Sequence, residues 1–324
     1  MAIDLLSLEP QRISRNLRGK FMLFYGAPGV GKTTLASRFE NVLIASFEPG
    51  SNALNNVYVQ PVQTWLDWKA MVSQLQRKSE LKERFHSIAI DTIDEAWNLC
   101  VKFVCAQEGI TQLSDKAWGA GYDLAKKEFY TTFRDLAYNG YGLIFISHSV
   151  EKSITTDTGE KKDYIMPALQ KTPFDVINKM VDMIGYIREI STGTADDPKR
   201  ERFIFFRDKT GNRFLVKSRY QYIKEYIKLN YNELVDAIYE AVDEEIAHSG
   251  GEASDAGNPY AVKNFEVLME EARELWNKVV EQNKKEEALG ILANKFGKPT
   301  KFSEILPEQI DQLSEVLYEI QSIL

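Results

Sequence analysis

The sequence predicts an α/β protein built on a largely parallel β-sheet. Short apolar runs alternate with amphipathic helical patterns through the front of the chain, which is the order expected of repeated strand–helix units. The first, third and fourth of these runs are apolar through their centres, as is typical of strands covered by helices on both faces. A glycine-rich turn also joins the first run to the first helical pattern. The length of 324 residues allows for this core and a second, smaller domain.

The elements of the core can be placed in chain order. Predicted strands cover Phe21–Tyr25, Val42–Ser46, Ser87–Asp91, Leu143–Ser147 and Met183–Ile187. Predicted helices cover Lys32–Phe39, Thr64–Gln76, Ile93–Glu108, Tyr122–Tyr138 and Tyr231–Ala247. Before the last helix, Phe203–Arg207 and Arg213–Ser218 flank the turn-forming residues 208–212. This arrangement predicts an antiparallel β-hairpin attached to the parallel sheet.

The back of the chain differs in composition from the front. Residues 236–259 carry seven acidic and no basic residues, and residues 248–259 are small and polar, so we interpret the latter as a flexible acidic linker. Amphipathic patterns beyond it predict three helices, at Tyr260–Gln282, Lys285–Phe296 and Pro307–Ile323. The predicted organisation is therefore a core at 1–247, a linker at 248–259 and a small helical domain at 260–324.

Composition limits the cellular setting. No run approaches the roughly 20 apolar residues that span a bilayer, and the start of the chain has no secretory pattern, so we expect no membrane contact and a cytoplasmic location. The two cysteines, Cys100 and Cys105, make no disulfide framework and are expected to be buried apolar residues. The net charge is −7, but Arg200–Lys228 has nine basic and three acidic residues. That stripe suits either phosphate and nucleic acid or a solvated hairpin face.

The glycine-rich turn carries the most specific motif. It matches G-x-x-x-x-G-K-[ST] in full, and it lies between a predicted strand and a predicted helix, as a phosphate-binding loop requires. In such a loop, backbone N–H groups surround phosphate oxygens, the lysine reaches the β- and γ-phosphates, and the hydroxyl following it binds Mg²⁺. The predicted cofactors are ATP and Mg²⁺. The predicted binding residues are Gly26, Ala27, Pro28, Gly29, Val30, Gly31, Lys32, Thr33 and Thr34.

Three further polar residues follow strands of the predicted sheet. Asp91 ends a buried strand and is the predicted partner of Thr33 in holding magnesium, with Asp94 as a substitute unless it only caps the next helix. Glu48 comes just after the second strand, where a carboxylate can orient or deprotonate the attacking water, or can simply belong to a turn. His148 ends the fourth strand and either contacts the γ-phosphate or has a structural role.

These residues together resemble the RecA-type ATPase core. The chain is more closely similar to phage-encoded, AAA-type P-loop ATPases of reduced RecA type, several of which are single-strand annealing or recombination proteins. Residues 117–122, 142–148 and 216–220 add to the resemblance, which covers about residues 15–230. It implies a RecA-like P-loop core and a DNA-stimulated ATPase that binds single-stranded DNA in recombination, annealing or replication.

The resemblance also implies partners. It implies a homo-oligomeric ring or filament with ATP between subunits, in which Lys217 and Arg219 would act catalytically on the neighbour's γ-phosphate. Their alternative roles are DNA-backbone contact or plain surface charge. It places DNA-contacting loops at 111–121 and 150–171. The candidate residues are Lys116, Trp118, Tyr122, Lys152, Lys161 and Lys162. The two aromatic residues could instead pack a subunit interface.

Two other functions share the nucleotide motif. A nucleotide-gated assembly or helicase-loading factor would use residues 260–324 to dock a protein partner. A small-molecule kinase would need an arginine-rich lid, whereas the arginines here cluster at 200–219 on a predicted hairpin. We therefore expect an ATPase that acts on DNA, with the loading factor as the first alternative and the kinase as the second.

Overall fold

The computed structural model describes residues 10, 12–50, 54–155, 159, 161–193, 199–209, 211, 214–254, 265–306 and 309–324. The chain divides into two compact units. The larger comprises residues 12–72 and 82–261, and the smaller comprises residues 1–11, 73–81 and 262–324. Among the described residues, no helix is both long enough and apolar enough to cross a membrane.

The larger unit is built on one ten-stranded sheet. Its strands are β1 (Phe21–Gly26), β2 (Val42–Ser46), β3 (Tyr58–Pro61), β4 (Ser87–Asp91), β5 (Gly142–Thr155), β6 (Lys161–Pro167), β7 (Met183–Ser191), β8 (Arg200–Phe205), β9 (Lys217–Ser218) and β10 (Tyr226–Lys228). The strand order is β10-β8-β7-β1-β5-β4-β2-β3, with β6 paired to β5 and β9 paired to β7. The pairs among β1, β2, β3, β4, β5 and β7 along this order are parallel, which confirms the predicted α/β class with a mainly parallel sheet.

Helices connect the strands; α3 and α6 were not predicted, and α1 ends three residues before its predicted end at Phe39. They are α1 (Lys32–Ala36), α2 (Trp65–Arg77), α3 (Ser79–Arg84), α4 (Ile93–Glu108), α5 (Ala120–Tyr138), α6 (Lys171–Met180) and α7 (Tyr231–Ser249). On one side of the sheet, Met22 and Phe24 belong to a core cluster that includes Leu35 of α1 and Ile238 of α7. Cys100 and Cys105 are buried on α4, as predicted.

An aromatic cluster joins α2, α4 and α5 to the sheet. The ring of Phe133 lies 5.3 Å from that of Phe145 in β5 and 5.5 Å from that of Trp68. Phe129 stacks on Trp65 and meets Trp97 edge to face. Packing of this kind buries large apolar surfaces and holds the helix starts in place over the strands.

The antiparallel part of the sheet pairs differently from the prediction. The predicted hairpin of Phe203–Arg207 with Arg213–Ser218 does not form, because β8 pairs with β7 and β10, and β9 pairs with β7. Of the predicted turn and second strand, Thr210, Asn212 and Arg213 lie outside the described residues. Sequence patterns find strands well, but they do not choose the partner of a strand, which depends on contacts far apart in the chain.

The fourth predicted strand is longer than its apolar run. β5 pairs with β1 and β4 up to His148 and then, from Ser149 to Thr155, pairs antiparallel with β6. The predicted DNA loop at 150–171 is therefore a β-hairpin followed by the start of α6, and residues 156–158 and 160 at its turn lie outside the described residues. The sequence did not predict that the strand continues, because polar residues alternate with apolar ones beyond Ser147.

Beyond residue 264, the described part of the smaller unit forms three α-helices near the predicted positions. They are α8 (Phe265–Glu281), α9 (Lys285–Phe296) and α10 (Ile310–Ile323). Their core includes Leu268, Ala272, Leu292, Leu313 and Leu317. Trp276 packs against this core and meets Phe302 edge to face. Of the predicted linker, residues 255–259 lie outside the described residues, and Ser254 exchanges backbone hydrogen bonds with Ile13 and Arg15.

Candidate nucleotide site

The register of the parallel strands brings the predicted site residues to one edge of the sheet. Gly26, the last residue of β1, lies opposite His148 in β5, and Asp91 at the end of β4 lies opposite Ser46 at the end of β2. Glu48 follows two residues after Ser46. Carboxyl ends of parallel strands are where open α/β sheets bind ligands. Residues far apart in the chain therefore meet at this edge.

Glycines give the loop between β1 and α1 its shape. Gly29 and Gly31 have φ angles of 75° and 107°, in the left-handed region that favours glycine. A Cβ on Gly26 would lie 2.3 Å from the carbonyl oxygen of Ile187, so only glycine fits between β1 and β7 at this point. Val30 is buried in the core and anchors the loop. The loop shape required for a phosphate cradle is therefore present.

Lys32 lies inside this loop. Its Nζ donates hydrogen bonds to the carbonyl oxygens of Gly26 and Ala27, each at 2.9 Å. The residue is only 6% exposed, and this burial lowers the pKa of its ammonium group, although nearby Asp91 opposes the effect. A buried ammonium group that bonds two neutral carbonyls favours an anion beside it. The lysine therefore fits a triphosphate.

Thr33 and Asp91 form the opposite wall of the site. The Thr33 Oγ1 hydroxyl donates to Asp91 Oδ2 at 2.7 Å, and burial raises the pKa of the Asp91 carboxyl group. The Asp91–Thr92 peptide bond is cis. The hydroxyl oxygen of Thr33 and the carboxylate oxygen of Asp91 suit Mg²⁺, which takes one or two protein ligands and completes its shell with water and phosphate.

Glu48 is held between two neighbours. Thr92 Oγ1 donates to its Oε1 at 2.5 Å, and its Oε2 lies 3.2 Å from His148 Nε2. The His148 Nδ1 is buried, and among the described residues it has no hydrogen-bond partner. The carboxylate is thus aimed by a hydroxyl and an imidazole, which is a suitable arrangement for orienting a water molecule.

Asp94 is held by two hydrogen bonds and does not cap α4. Its Oδ1 accepts from the Ser147 hydroxyl at 2.6 Å and its Oδ2 accepts from the His148 backbone N–H at 2.8 Å. Thr92, not Asp94, is the N-cap of α4, since its side chain accepts from Glu95 N. Both carboxylate oxygens of Asp94 are therefore occupied in fixing α4 to β5, beside the Glu48–His148 pair.

A cavity of ≈ 270 Å³ lies among these groups. It is lined by residues of the loop, of the β2 and β4 ends and of β5: Pro28, Gly29, Gly31, Lys32, Thr33, Thr34, Glu48, Gly50, Leu54, Asp91, Thr92 and His148. Of the predicted binding residues, Gly26, Ala27 and Val30 support the loop without lining the cavity. The structure thus gathers Lys32, Thr33, Glu48, Asp91 and His148 around one space.

A second cavity of ≈ 230 Å³ shares Gly31 and Thr34 with the first. Its other lining residues are Leu35, Arg38, Arg202, Leu229, Asn230 and Tyr231. No local pattern marks these residues as functional, although Arg202 lies within the basic stripe 200–228. Only the packing of β8 and α7 beside α1 brings them to the loop, so sequence reasoning missed them.

Lys217 and Arg219 lie at the amino edge of the sheet, where the parallel strands begin, opposite the carboxyl edge that holds the nucleotide loop. β9 pairs with the first residues of β7, whereas the nucleotide loop lies beside Ile187 further along β7. Lys217 Nζ donates to the carbonyl oxygens of Asn178 and, at 3.0 Å, Val181. Arg219 donates to Asp182 at 3.1 Å and to the Lys179 carbonyl at 2.9 Å. Within one chain, neither residue joins the nucleotide cavity.

The candidate DNA residues fall into two groups. Before and on α5, Trp118 and Tyr122 are exposed, while Lys116 pairs with Glu108. On the β5–β6 hairpin, Lys152 and Lys161 are exposed and Lys162 is half-buried. Lys152 Nζ also lies 3.4 Å from the Leu169 carbonyl oxygen. Surface position suits contact with a partner, and the DNA role of these residues stays a prediction.

Comparisons with known proteins agree with this geometry. A family model described as an AAA domain, AAA_24, matches residues 18–220. The chain is also 27% identical, over 332 aligned positions that cover 100% of it, to the "SPbeta prophage-derived uncharacterized protein YorG" of Bacillus subtilis (strain 168), of which 99% is covered. The matched region contains the loop at 26–34, Asp91 and His148. The chain therefore belongs to the AAA_24 family of P-loop NTPases.

Proposed function

We propose that this chain is a magnesium-dependent ATPase of RecA-like type that acts on single-stranded DNA. The observation that carries the ATPase part is the convergence of Lys32, Thr33, Glu48, Asp91 and His148 on one cavity at the phosphate-binding loop. A binding site alone would need the loop and the lysine. The additional carboxylate and imidazole supply groups that can act on water and on the terminal phosphate.

The residues of the loop bind the nucleotide. Lys32, already desolvated, neutralises the β- and γ-phosphates, and Thr33 and Asp91 hold Mg²⁺. Held there, Mg²⁺ would supply positive charge against the charge that develops on the phosphate oxygens. The second cavity, on the other side of Gly31 and Thr34, accepts the ribose and base, beside Arg202 and Tyr231.

Glu48 acts on the attacking water. Its carboxylate accepts a hydrogen bond from Thr92 and faces His148, so its orientation is fixed before substrate arrives. The same imidazole stands where it can contact the γ-phosphate, and its backbone continues directly into the β5–β6 hairpin. Loss of the γ-phosphate can thus be reported to that hairpin through β5.

The action on DNA rests on other observations than ATP hydrolysis does. It is supported by the resemblance to phage annealing and recombination ATPases and by the prophage origin of the Bacillus subtilis relative. The exposed lysines of the β5–β6 hairpin provide positive charge for phosphates. A ring or filament, with Lys217 or Arg219 supplied to a neighbour's site, is part of this proposal.

The decisive experiment measures ATP turnover with and without single-stranded DNA, together with particle size in solution. We expect turnover to require Mg²⁺, to increase with single-stranded DNA, and to lose that increase steeply as salt rises. Absence of any ATP turnover would overturn the whole proposal. Turnover and particle size that are both indifferent to DNA would leave an ATPase and overturn its action on DNA.

The helical unit supports one alternative, a nucleotide-gated loading factor. α8, α9 and α10 enclose their own apolar core, as expected for a docking module. Deleting residues 260–324 separates the two functions. A DNA-acting ATPase keeps its DNA-stimulated turnover in the shortened chain, whereas a loading factor keeps basal turnover and loses capture of its protein partner.

A further inference from the structure

Helix α5 presents a row of exposed aromatic and basic side chains that the nucleotide site does not use. The row, which we call the α5 row, alternates the two types at every fourth residue: Tyr122, Lys126, Tyr130, Arg134 and Tyr138, with Trp118 immediately before the helix. Tyr122 and Tyr130 are each 43% exposed and Tyr138 is 41% exposed. Lys126 and Arg134 are exposed as well.

Helix geometry makes these residues neighbours. Side chains four residues apart are adjacent on a helix surface, and each such step rises about 6 Å along the axis. From Tyr122 to Tyr138 the row therefore runs about 24 Å. Each step also turns about 40° around the axis, so the row winds along the exposed side of the helix. The buried side carries residues such as Phe129, Phe133 and Leu136. Packing of the helix is thus complete without the row.

Trp118 stands apart from the other tryptophans of the larger unit. Trp65, Trp68 and Trp97 are at most 2% exposed, whereas Trp118 is fully exposed. It also has a φ angle of 59°, in the left-handed region that large side chains seldom adopt. No packing contact among the described residues explains why this indole is held in water. Its exposed face is therefore available to a ligand.

The charge of the row is positive. Lys126, its neighbour Lys127 and Arg134 form no ion pair within the described part of the chain, and Arg134 stacks on the ring of Tyr138 at 5.1 Å. Glu128, an acidic residue on the same helix, is already engaged with Lys69 and with the Trp65 indole N–H. Asp123, which is also exposed, lies one turn before Lys126. The row therefore offers cations without an ion pair between aromatic faces.

We propose that the α5 row is a platform for single-stranded DNA, on which bases stack while the basic side chains contact phosphates. The inference rests on the proposed action on DNA and names the surface that performs it. Aromatic faces accept any base, and interleaved cations neutralise the backbone, so the row would bind with little sequence preference. A duplex, whose bases are stacked on each other, would not fit the tyrosines.

The test uses the full chain and a fluorescently labelled oligonucleotide of about 15 thymidines, which is longer than the row at roughly 3.4 Å per nucleotide. Replacing both Tyr122 and Tyr130 by Ala should weaken binding about tenfold or more, because each stacked base contributes to affinity. Tyr239→Ala is the matched control, since Tyr239 is 41% exposed on α7. Basal ATP turnover and melting temperature should be unchanged in both variant proteins.

The charges are tested separately. Each phosphate that a cation neutralises on a single strand adds roughly 0.7 to the slope of log affinity against log salt. Lys126→Gln with Arg134→Gln should therefore make that slope shallower by about 1.4. Lys298→Gln, at an exposed lysine of the smaller unit, should leave the slope unchanged. Trp118→Phe should remove most of the quenching of intrinsic fluorescence that DNA causes.

The outcomes separate this inference from the proposed function. If the tyrosine and charge variants bind DNA as tightly as the wild type does, the platform is overturned and the protein remains a DNA-binding ATPase. Absence of DNA binding by the wild type, with ATP turnover intact, would overturn both DNA statements and leave the ATPase. A change of particle size in the tyrosine variant without DNA would overturn the platform in favour of contact between copies of this chain.

Discussion

The two edges of the central sheet hold basic side chains in contrasting surroundings. At the carboxyl edge, Lys32 bonds two loop carbonyls and lines a cavity that it shares with Glu48 and Asp91. At the other edge, Lys217 and Arg219 donate to the last carbonyls of α6, where helix ends lack intrahelical partners. All three cations have carbonyl partners. What distinguishes Lys32 is the open cavity that it lines, whereas the other two complete the end of a helix.

The largest effect is expected at the carboxyl edge. Lys32→Ala should lower ATP turnover by at least about 10²–10³-fold, because the phosphates lose their buried counter-charge. Steady-state turnover and binding of a fluorescent ATP analogue measure this effect. Unimpaired turnover would remove Lys32 from the site.

Glu48→Gln should have the next largest effect. The amide keeps the shape of the carboxylate and loses its basicity, so nucleotide binding should persist while turnover falls by about 100-fold or more. Thr92→Val is the companion variant, because it removes the hydroxyl that aims Glu48 and should produce a smaller loss. Steady-state turnover alongside equilibrium binding distinguishes the two. Normal turnover in Glu48→Gln would assign catalysis to another group.

At the amino edge, substitution should act on stability. Lys217→Met leaves the Asn178 and Val181 carbonyls without their donor and should lower the free energy of unfolding by about 1–3 kcal/mol. Urea unfolding of the isolated variant measures this. Nucleotide binding within one chain should be unchanged, since the residue does not line the cavity. A stable variant that cannot bind nucleotide would contradict the division between the edges.

Mixing Arg219→Met with Lys32→Ala protein tests the proposed action on a neighbouring subunit. Each protein alone should be inactive under that proposal. A mixed assembly would contain sites with an intact Lys32 from one chain and an intact Arg219 from the next, so turnover should recover in part. If turnover does not recover although both variants still assemble, Arg219 does not act on a neighbouring subunit, and its role is limited to the contact with Asp182.

The smallest effect concerns Lys20, which lies just before β1 at the amino edge. Burial lowers its pKa from 10.5 to about 8, and its Nζ donates to the Ser14 carbonyl at 2.7 Å. Between pH 8 and 10 the unfolded chain holds this proton and the folded chain does not. Stability should therefore rise with pH in this window by up to about 1.4 kcal/mol per unit. Lys20→Met should flatten that slope in urea unfolding; an identical slope would show that the shift is absent.

Much of the fold could be predicted because its signals are local. The boundaries of β2, β4 and α4 follow from apolar runs and helical periodicity, and they coincide with the predicted ones. The prediction of the hairpin was wrong because strand pairing is not local. β8 pairs with β7 and β10 instead of residues 213–218. The continuation of β5 past His148 depends in the same way on its partner β6.

The site shows the same division. Consecutive residues were enough to identify the phosphate-binding loop, since its glycines, Lys32 and Thr33 are each required by the chemistry of phosphate and magnesium. Folding was needed to establish three further points: Asp94 bonds to β5 and does not cap α4, Arg202 and Tyr231 line a cavity beside the loop, and Lys217 and Arg219 lie at the far edge. The loop could be predicted because its shape depends on neighbouring residues in the sequence. The residues around it could not, because their positions depend on strand order and register.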